Sequence, residues 1–142
     1  MKKVMLEDVP AGRKFNLGEL VIKAGKVTLG RRDCEYVKDN TISLGIDVDE
    51  SDNNQVVKIS GRHASITYKP DTKLYTLRDE ISKNGTDIHR GKKVIELSRF
   101  GIISSELQDK DEIFFGGYGP VIFTEKETEK RKADGTRVSV FE

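Results

Sequence analysis

The chain has 142 residues and carries 25 basic against 24 acidic side chains, a net charge of +1. That length suits one ordinary domain that buries a core without staples, and the charge balance excludes nucleic-acid binding through a bulk basic surface. Apolar and charged residues each make up 35%, which points to a thin core and many loops. The only cysteine, Cys34, excludes an internal disulfide and fits a reducing compartment. The apolar run Val4-Met5-Leu6 is too short for a signal peptide, and no stretch approaches a membrane span. A cytoplasmic chain with no membrane contact is expected.

In chain order, Leu20-Val21-Ile22 and Val27-Thr28-Leu29 flank Ala24-Gly25, which predicts a tight hairpin. Ser51 to Gln55 reads as a polar loop tip, and Val56-Val57-Lys58-Ile59 as a short strand. Ala64, Ile66 and Tyr68 alternate with Ser65 and Thr67, the period of a half-buried strand. Pro70-Asp71 predicts a turn, Leu74 to Leu77 and Val94 to Leu97 two further strands. Ile113-Phe114-Phe115 and Val121-Ile122-Phe123 bracket the glycine-rich Gly116 to Pro120. Thr124 to Ala133 is charged and lacks an apolar stripe, so it reads as a solvated hairpin or connector, although Glu127 and Arg131 are spaced as a helical pair. Val138, Val140 and Phe141 predict a last strand. No amphipathic helix is expected. Many short strands separated by turn signals predict one all-β domain, a sandwich or barrel.

Three loop motifs stand out. Gly30-Arg31 follows the strand ending at Leu29; Ser60-Gly61-Arg62-His63 precedes the strand at Ala64; Asp79-Glu80-Ile81-Ser82-Lys83-Asn84-Gly85-Thr86 connects two later strands. Arginine presents a planar fork of donors matched to phosphate oxygens. Serine donates through its hydroxyl, and asparagine both donates and accepts, so it can hold another chain's backbone. Asn84-Gly85 also suits left-handed turn geometry. Ser60 and His63 have the residue types of a hydrolytic pair, but no G-x-S-x-G elbow is present and no acid is marked out as a third member. Cys34, His63 and His89 are too few for a zinc site.

Taken together, G-R, then S-x-x-H, then D-x-x-S-x-N-G-T resembles the signature of the forkhead-associated (FHA) domain. Leu107 to Ile113, followed by Gly116, is similar to that family's L-x-x-G-D-x-I-x-x-G segment, and Arg90-Gly91 stands where the family usually has Asn-Gly. The resemblance spans residues 20–123. It implies a single FHA domain over residues 1–142, with flanking terminal strands and the charged segment 124–133. The implied fold is all-β, a sandwich of two twisted antiparallel sheets (FHA/SMAD-like) with binding loops at one end.

By that resemblance Arg31 and Ser60 contact a phosphate, Lys83 adds charge to the pocket, and Asn84 holds the peptide backbone. His63 braces the serine loop, and Gly30, Gly61, Gly85 and Thr86 support the site. The position after Ser60 usually carries a contacting side chain; here it is Gly61, for which Arg62 is expected to compensate. Lys110 replaces the glycine of G-D, so the turn there is expected to be built differently. The implied function is that of a non-enzymatic signalling adaptor without cofactor or metal. Its implied partner is a threonine-phosphorylated protein or peptide, such as a Ser/Thr kinase or its substrate, bound by a monomer. The alternative is a phosphate-independent scaffold with the same fold.

Overall fold

A computed structural model describes residues 2–31, 37–38, 41–45, 58–98, 100–127, 130–131 and 137–138. Its first sheet is assembled from β1 (Lys2–Asp8), β2 (Arg13–Asn16), β8 (Thr86–Arg90), β9 (Lys93–Leu97), β11 (Asp111–Phe115) and β12 (Tyr118–Glu127). They lie in the order β2-β1-β12-β11-β8-β9. The second contains β3 (Lys26–Gly30), β4 (Val37–Lys38), β5 (Thr41–Ser43), β6 (Ala64–Lys69), β7 (Leu74–Asp79) and β10 (Ser104–Glu106), in the order β10-β7-β6-β3-β5-β4. All neighbours are antiparallel except β3 and β5, which run parallel with Leu29 opposite Ile42. The expected two-sheet sandwich is therefore present, with one parallel pair inside it.

The strands form because their apolar residues recur at every second position and bury one face. Val27 and Leu29 in β3, Ile66 in β6, Tyr75 and Leu77 in β7 meet Leu6, Ile88, Ile113, Phe115, Val121 and Phe123 from the first sheet in one core. Burying each such side chain contributes roughly 1.5–3 kcal/mol, enough together to offset the ordering of a loop-rich chain.

The predicted hairpin at Leu20 to Leu29 is corrected. Leu17–Ala24 is the helix α1, and only β3 follows it. The Asn16 side chain accepts from the Glu19 N–H at 3.2 Å, capping the first turn, and Gly25 closes the last turn in a left-handed conformation. Leu17 and Val21, four residues apart, share one face and are buried where α1 packs on β1, β3 and β6. The helix is too short for its pattern to outweigh the β-branched Val21-Ile22 pair, so only the caps announced it.

Other expectations divide. β6, β7 and β9 contain the predicted strands, and residues 70–73 form the predicted turn. Lys58 and Ile59 bend instead of extending, while Val56 and Val57 lie outside the described residues, as do Ser51 to Gln55, Val140 and Phe141. The glycine-rich segment is a turn only at Gly116-Gly117, since β12 begins at Tyr118. Within the charged segment, Thr124 to Glu127 continue β12 and Lys130–Arg131 form β13, which pairs antiparallel with the later β14 (Arg137–Val138).

Buried carboxylates pin the ends of the sheets. Asp8, at the end of β1, accepts from the Tyr118 hydroxyl at 2.6 Å and the Gly45 N–H at 2.9 Å. Burial pushes the Asp8 carboxyl above its ordinary range, opposed by those two donors. Arg90 holds Asp111 through two bonds of 2.8 Å and also donates to the Glu106 carbonyl at 3.1 Å. Asp111 is itself fully buried and accepts from the Gln108 N–H. The Arg90-Gly91 departure thus has a structural use.

The turn at Lys110 is also corrected. Asp111 N–H bonds the Gln108 carbonyl at 3.1 Å, and the third residue of that turn, Lys110, has φ +72°. That is the type II pattern, which favours glycine at this position. The chain keeps the glycine conformation and places a lysine in it. Lys110→Gly is expected to stabilise the fold by about 0.5–1 kcal/mol, the side-chain penalty in left-handed geometry less the added chain entropy. A urea midpoint that stays put or falls contradicts this account.

Candidate functional site

Each of the three loop motifs leaves or enters a strand at one end of the sandwich. β3 ends at Gly30, β6 starts at Ala64, and the segment after β7 crosses from the second sheet to β8 in the first. Backbone bonds bring the first two together. Arg31 N–H donates to the Ser60 carbonyl at 3.1 Å, and His63 N–H to the Leu29 carbonyl at 2.9 Å. A Cβ on Gly30 would sit 2.0 Å from the Gly61 carbonyl oxygen and 2.9 Å from that of Ser60. Only glycine lets the serine loop lie this close to β3.

The second and third motifs are joined through side chains. The Ser60 hydroxyl oxygen accepts from the Lys83 N–H at 3.1 Å. Accepting that proton leaves the hydroxyl's own O–H free to donate elsewhere. Asn84 donates from Nδ2 to the Lys58 carbonyl at 3.0 Å, which fixes its amide plane while leaving Oδ1 and a second N–H. Arg31, Arg62, Lys83 and Asn84 are exposed, and Ser60 is half-buried. The structure therefore brings Arg31, Ser60, Lys83 and Asn84 together; Arg62 shares the loop with Ser60, and among the described residues no side-chain hydrogen bond ties it to the other four.

His63 is fully buried between the two loops. Its Nδ1 accepts from the Ser60 N–H at 3.0 Å, so Nδ1 carries no proton, and its Nε2 donates to the Gly85 carbonyl at 2.7 Å. The ring packs edge-on against Phe115, with centroids 5.4 Å apart. Both nitrogens are spent on backbone groups, so neither serves the Ser60 hydroxyl, and the hydrolytic pairing has no geometric basis. Among the described residues no group of three His, Cys, Asp or Glu side chains is placed to hold a metal; Cys34 lies outside them.

Asp79 and Ser82 organise the third loop. Buried Asp79 accepts from the Ser82 N–H at 3.0 Å, the Ser82 hydroxyl, and the Thr86 hydroxyl at 2.8 Å. The Ser82 oxygen in turn accepts from the Gly85 N–H at 2.9 Å. Gly85, at φ +79°, makes the left-handed turn that presents Asn84 beside Ser60. Thr86 thus helps Asp79 hold the asparagine loop. Asp79 and Ser82 were assigned no role from the sequence, although both stand in the motif. The Lys58 carbonyl, a backbone acceptor, has no sequence signal at all.

Hydrogen-bond donors and cations thus collect on loops at one end of a two-sheet sandwich. The sequence model of the FHA domain matches residues 27–116, and the chain belongs to that family. No curated protein matches it by sequence. Among solved structures, the FhaA FHA domain complexed with the intracellular domain of Rv3910 is 22% identical, with 87% of this chain and 99% of that chain covered and a TM-score of 0.52. The FHA domain of an Arabidopsis thaliana hypothetical protein is 20% identical, covers 93% and 92%, and gives a TM-score of 0.61. Mycobacterium tuberculosis EmbR, solved with a low-affinity phosphopeptide, is 22% identical over 86% of this chain but only 24% of its own, with a TM-score of 0.54. At these identities the likeness is one of fold.

Burial holds the His63 imidazole below its ordinary value of 6.5, only partly opposed by the Gly85 carbonyl and the charge of Asp79. The unfolded chain then binds the extra proton first as pH falls. His63 contributes stability that is complete above pH 6.5 and is lost as pH falls from there through the folded value. Urea unfolding between pH 7.5 and 5.5 is expected to show this decline, at no more than about 1.4 kcal/mol per pH unit. His63→Asn should be less stable throughout and flat across that window; an equal slope in both proteins contradicts the assignment.

Proposed function

We propose that this chain is a phosphopeptide-binding module that reads phosphothreonine in a partner protein. The observation that carries the reading is the convergence of Arg31, Ser60, Lys83 and Asn84 through backbone and hydroxyl bonds between three loops. A phosphothreonine brings a charge of about −1.5 to −2 and strong acceptor oxygens. Arg31 supplies a planar donor fork, Ser60 its O–H proton, and Lys83 a second cation. Asn84 takes the peptide backbone beside the phosphate. Arg62 is the candidate to replace the side chain that Gly61 lacks. His63, Asp79, Ser82 and Thr86 hold the loops and touch no ligand.

The module performs no chemistry of its own. It acts as a monomeric adaptor in a cytoplasmic signalling context, and the phosphorylated partner is a Ser/Thr kinase or a kinase substrate. Solved relatives of the same fold support the ligand class: EmbR was captured with a phosphopeptide and human APLF with an XRCC1 bisphospho peptide.

Screening a phosphothreonine peptide library by calorimetry or polarisation tests this reading. Each charge-assisted bond lost is worth roughly 1.5–3 kcal/mol, so unphosphorylated peptide should bind at least about 100-fold more weakly. Arg31→Ala should lose about 10- to 100-fold with an unchanged urea midpoint. Phosphoserine versions of the best peptides test the preference for threonine. Gly61 favours one second reading, a phosphate-independent scaffold, because it removes a side-chain contact. Equal affinity with and without phosphate selects that scaffold instead.

A further inference from the structure

The outer face of the second sheet carries a feature the loop site does not use. Along β6, Ser65, Thr67 and Lys69 point away from the core, and their register partners on β7 include Arg78 and Thr76. Lys26 of β3 lies opposite Thr67, and Ser104 of β10 opposite Arg78. These residues line a groove of about 390 Å³ together with Glu80. Every lining side chain is polar, with three cations, Lys26, Lys69 and Arg78, against one carboxylate. Glu106, in register with Thr76 on the edge strand, is a further acid near the groove and lies outside the lining.

The groove already receives one carboxylate, that of the chain itself. Glu80 accepts from the Ser65 hydroxyl at 2.6 Å and sits 3.3 Å from the Lys26 ammonium. The hydroxyl-and-cation set is thus competent to bind oxyanions. Among the described residues, neither Lys69 nor Arg78 forms an ion pair with a carboxylate; Arg78 acts on Glu80 only at longer range, so both keep their N–H donors for a ligand.

Position links the groove to the loop site. Ser65 is two residues past His63, and Glu80 donates its N–H to the His63 carbonyl at 2.9 Å. At about 3.3 Å per strand residue the groove's centre lies on the order of 10–20 Å from Ser60. An extended peptide covers that distance in about three to six residues.

We infer that this groove is an oxyanion subsite, taking a second acidic group, carboxylate or phosphate, about three to six residues from the phosphothreonine on the same partner segment. The inference rests on the phosphothreonine reading above and extends it to a class of partner: segments with two anionic positions.

Three peptide sets test it, all built on one bound phosphothreonine sequence. The parent has neutral flanks; the second set moves a glutamate pair through positions three to six on either side; the third places a phosphoserine at those positions. Affinities are measured at low and high salt for the wild type, for Lys69→Gln/Arg78→Gln, and for Lys92→Gln/Lys93→Gln, a charge-matched control on the β8–β9 hairpin. At low salt the wild type should bind the best second-anion peptide about three- to tenfold more tightly than the parent, a gain screened by salt. The groove variant should lose that gain and keep parent affinity, and the control should keep both. The glutamate and phosphoserine sets show which oxyanion the groove prefers. No gain at any position, or a gain that survives in the groove variant, overturns the inference while leaving the phosphothreonine reading intact. Failure of the parent peptide to bind at all overturns both.

Discussion

A single buried imidazole holds the loop end of the sandwich together. His63 accepts a proton from the Ser60 backbone and donates one to the Gly85 backbone, and its ring leans on Phe115 of the opposite sheet. One side chain therefore ties the serine loop, the asparagine loop and both layers of the sandwich. The arrangement works only for the neutral ring in one tautomer, because a second ring proton would face the Ser60 N–H. Burial in the core enforces that state. The bridge acts alongside the direct bond from the Lys83 N–H to the Ser60 hydroxyl oxygen in setting the spacing between the two loops.

Around it, no buried side-chain nitrogen or oxygen among the described residues lacks a hydrogen-bond partner. Asp79 takes three donors from its own loop, Asp111 takes Arg90 and Gln108, and Asp8 takes Tyr118 and Gly45. Each carboxylate sits at a strand end and fixes how the chain leaves its sheet. An unpaired buried carboxylate would cost several kcal/mol, which makes such hubs effective at selecting one loop geometry. The apolar layer between the sheets supplies most of the stability. The carboxylates and His63 decide where the exposed groups point.

Much of this was legible in the chain itself. Alternation at Ala64 to Tyr68 and the apolar runs at Ile113 and Val121 marked strands directly, since a two-residue period buries one face of a sheet. Loop motifs at Gly30, Ser60 and Asn84 marked the candidate site, because each is an ordinary turn signal alone but their order and spacing together are specific. The helix at Leu17 was missed: eight residues give a weak periodic signal, and its caps at Asn16 and Gly25 carried the information. β1 was expected only as an unplaced flanking terminal strand, since Val4 to Leu6 is short and mixed, and β8 was missed because Thr86 belongs to a loop motif as well as to a strand.

The sequence alone determined the fold class and the identity of the exposed donors, properties that follow from local alternation and residue chemistry. It also assigned His63 to bracing. Only the tertiary structure decided how that bracing works, since the partners of His63 lie 3 and 22 residues away and one of them is a bare carbonyl. The tertiary structure likewise exposed Asp79 and Ser82 as the organisers of the asparagine loop. It showed that Gly30 is glycine because another loop lies against it. The row of hydroxyls and cations across β3, β6, β7 and β10 came from strand register. Such juxtapositions join residues far apart in the chain, and no local pattern encodes them.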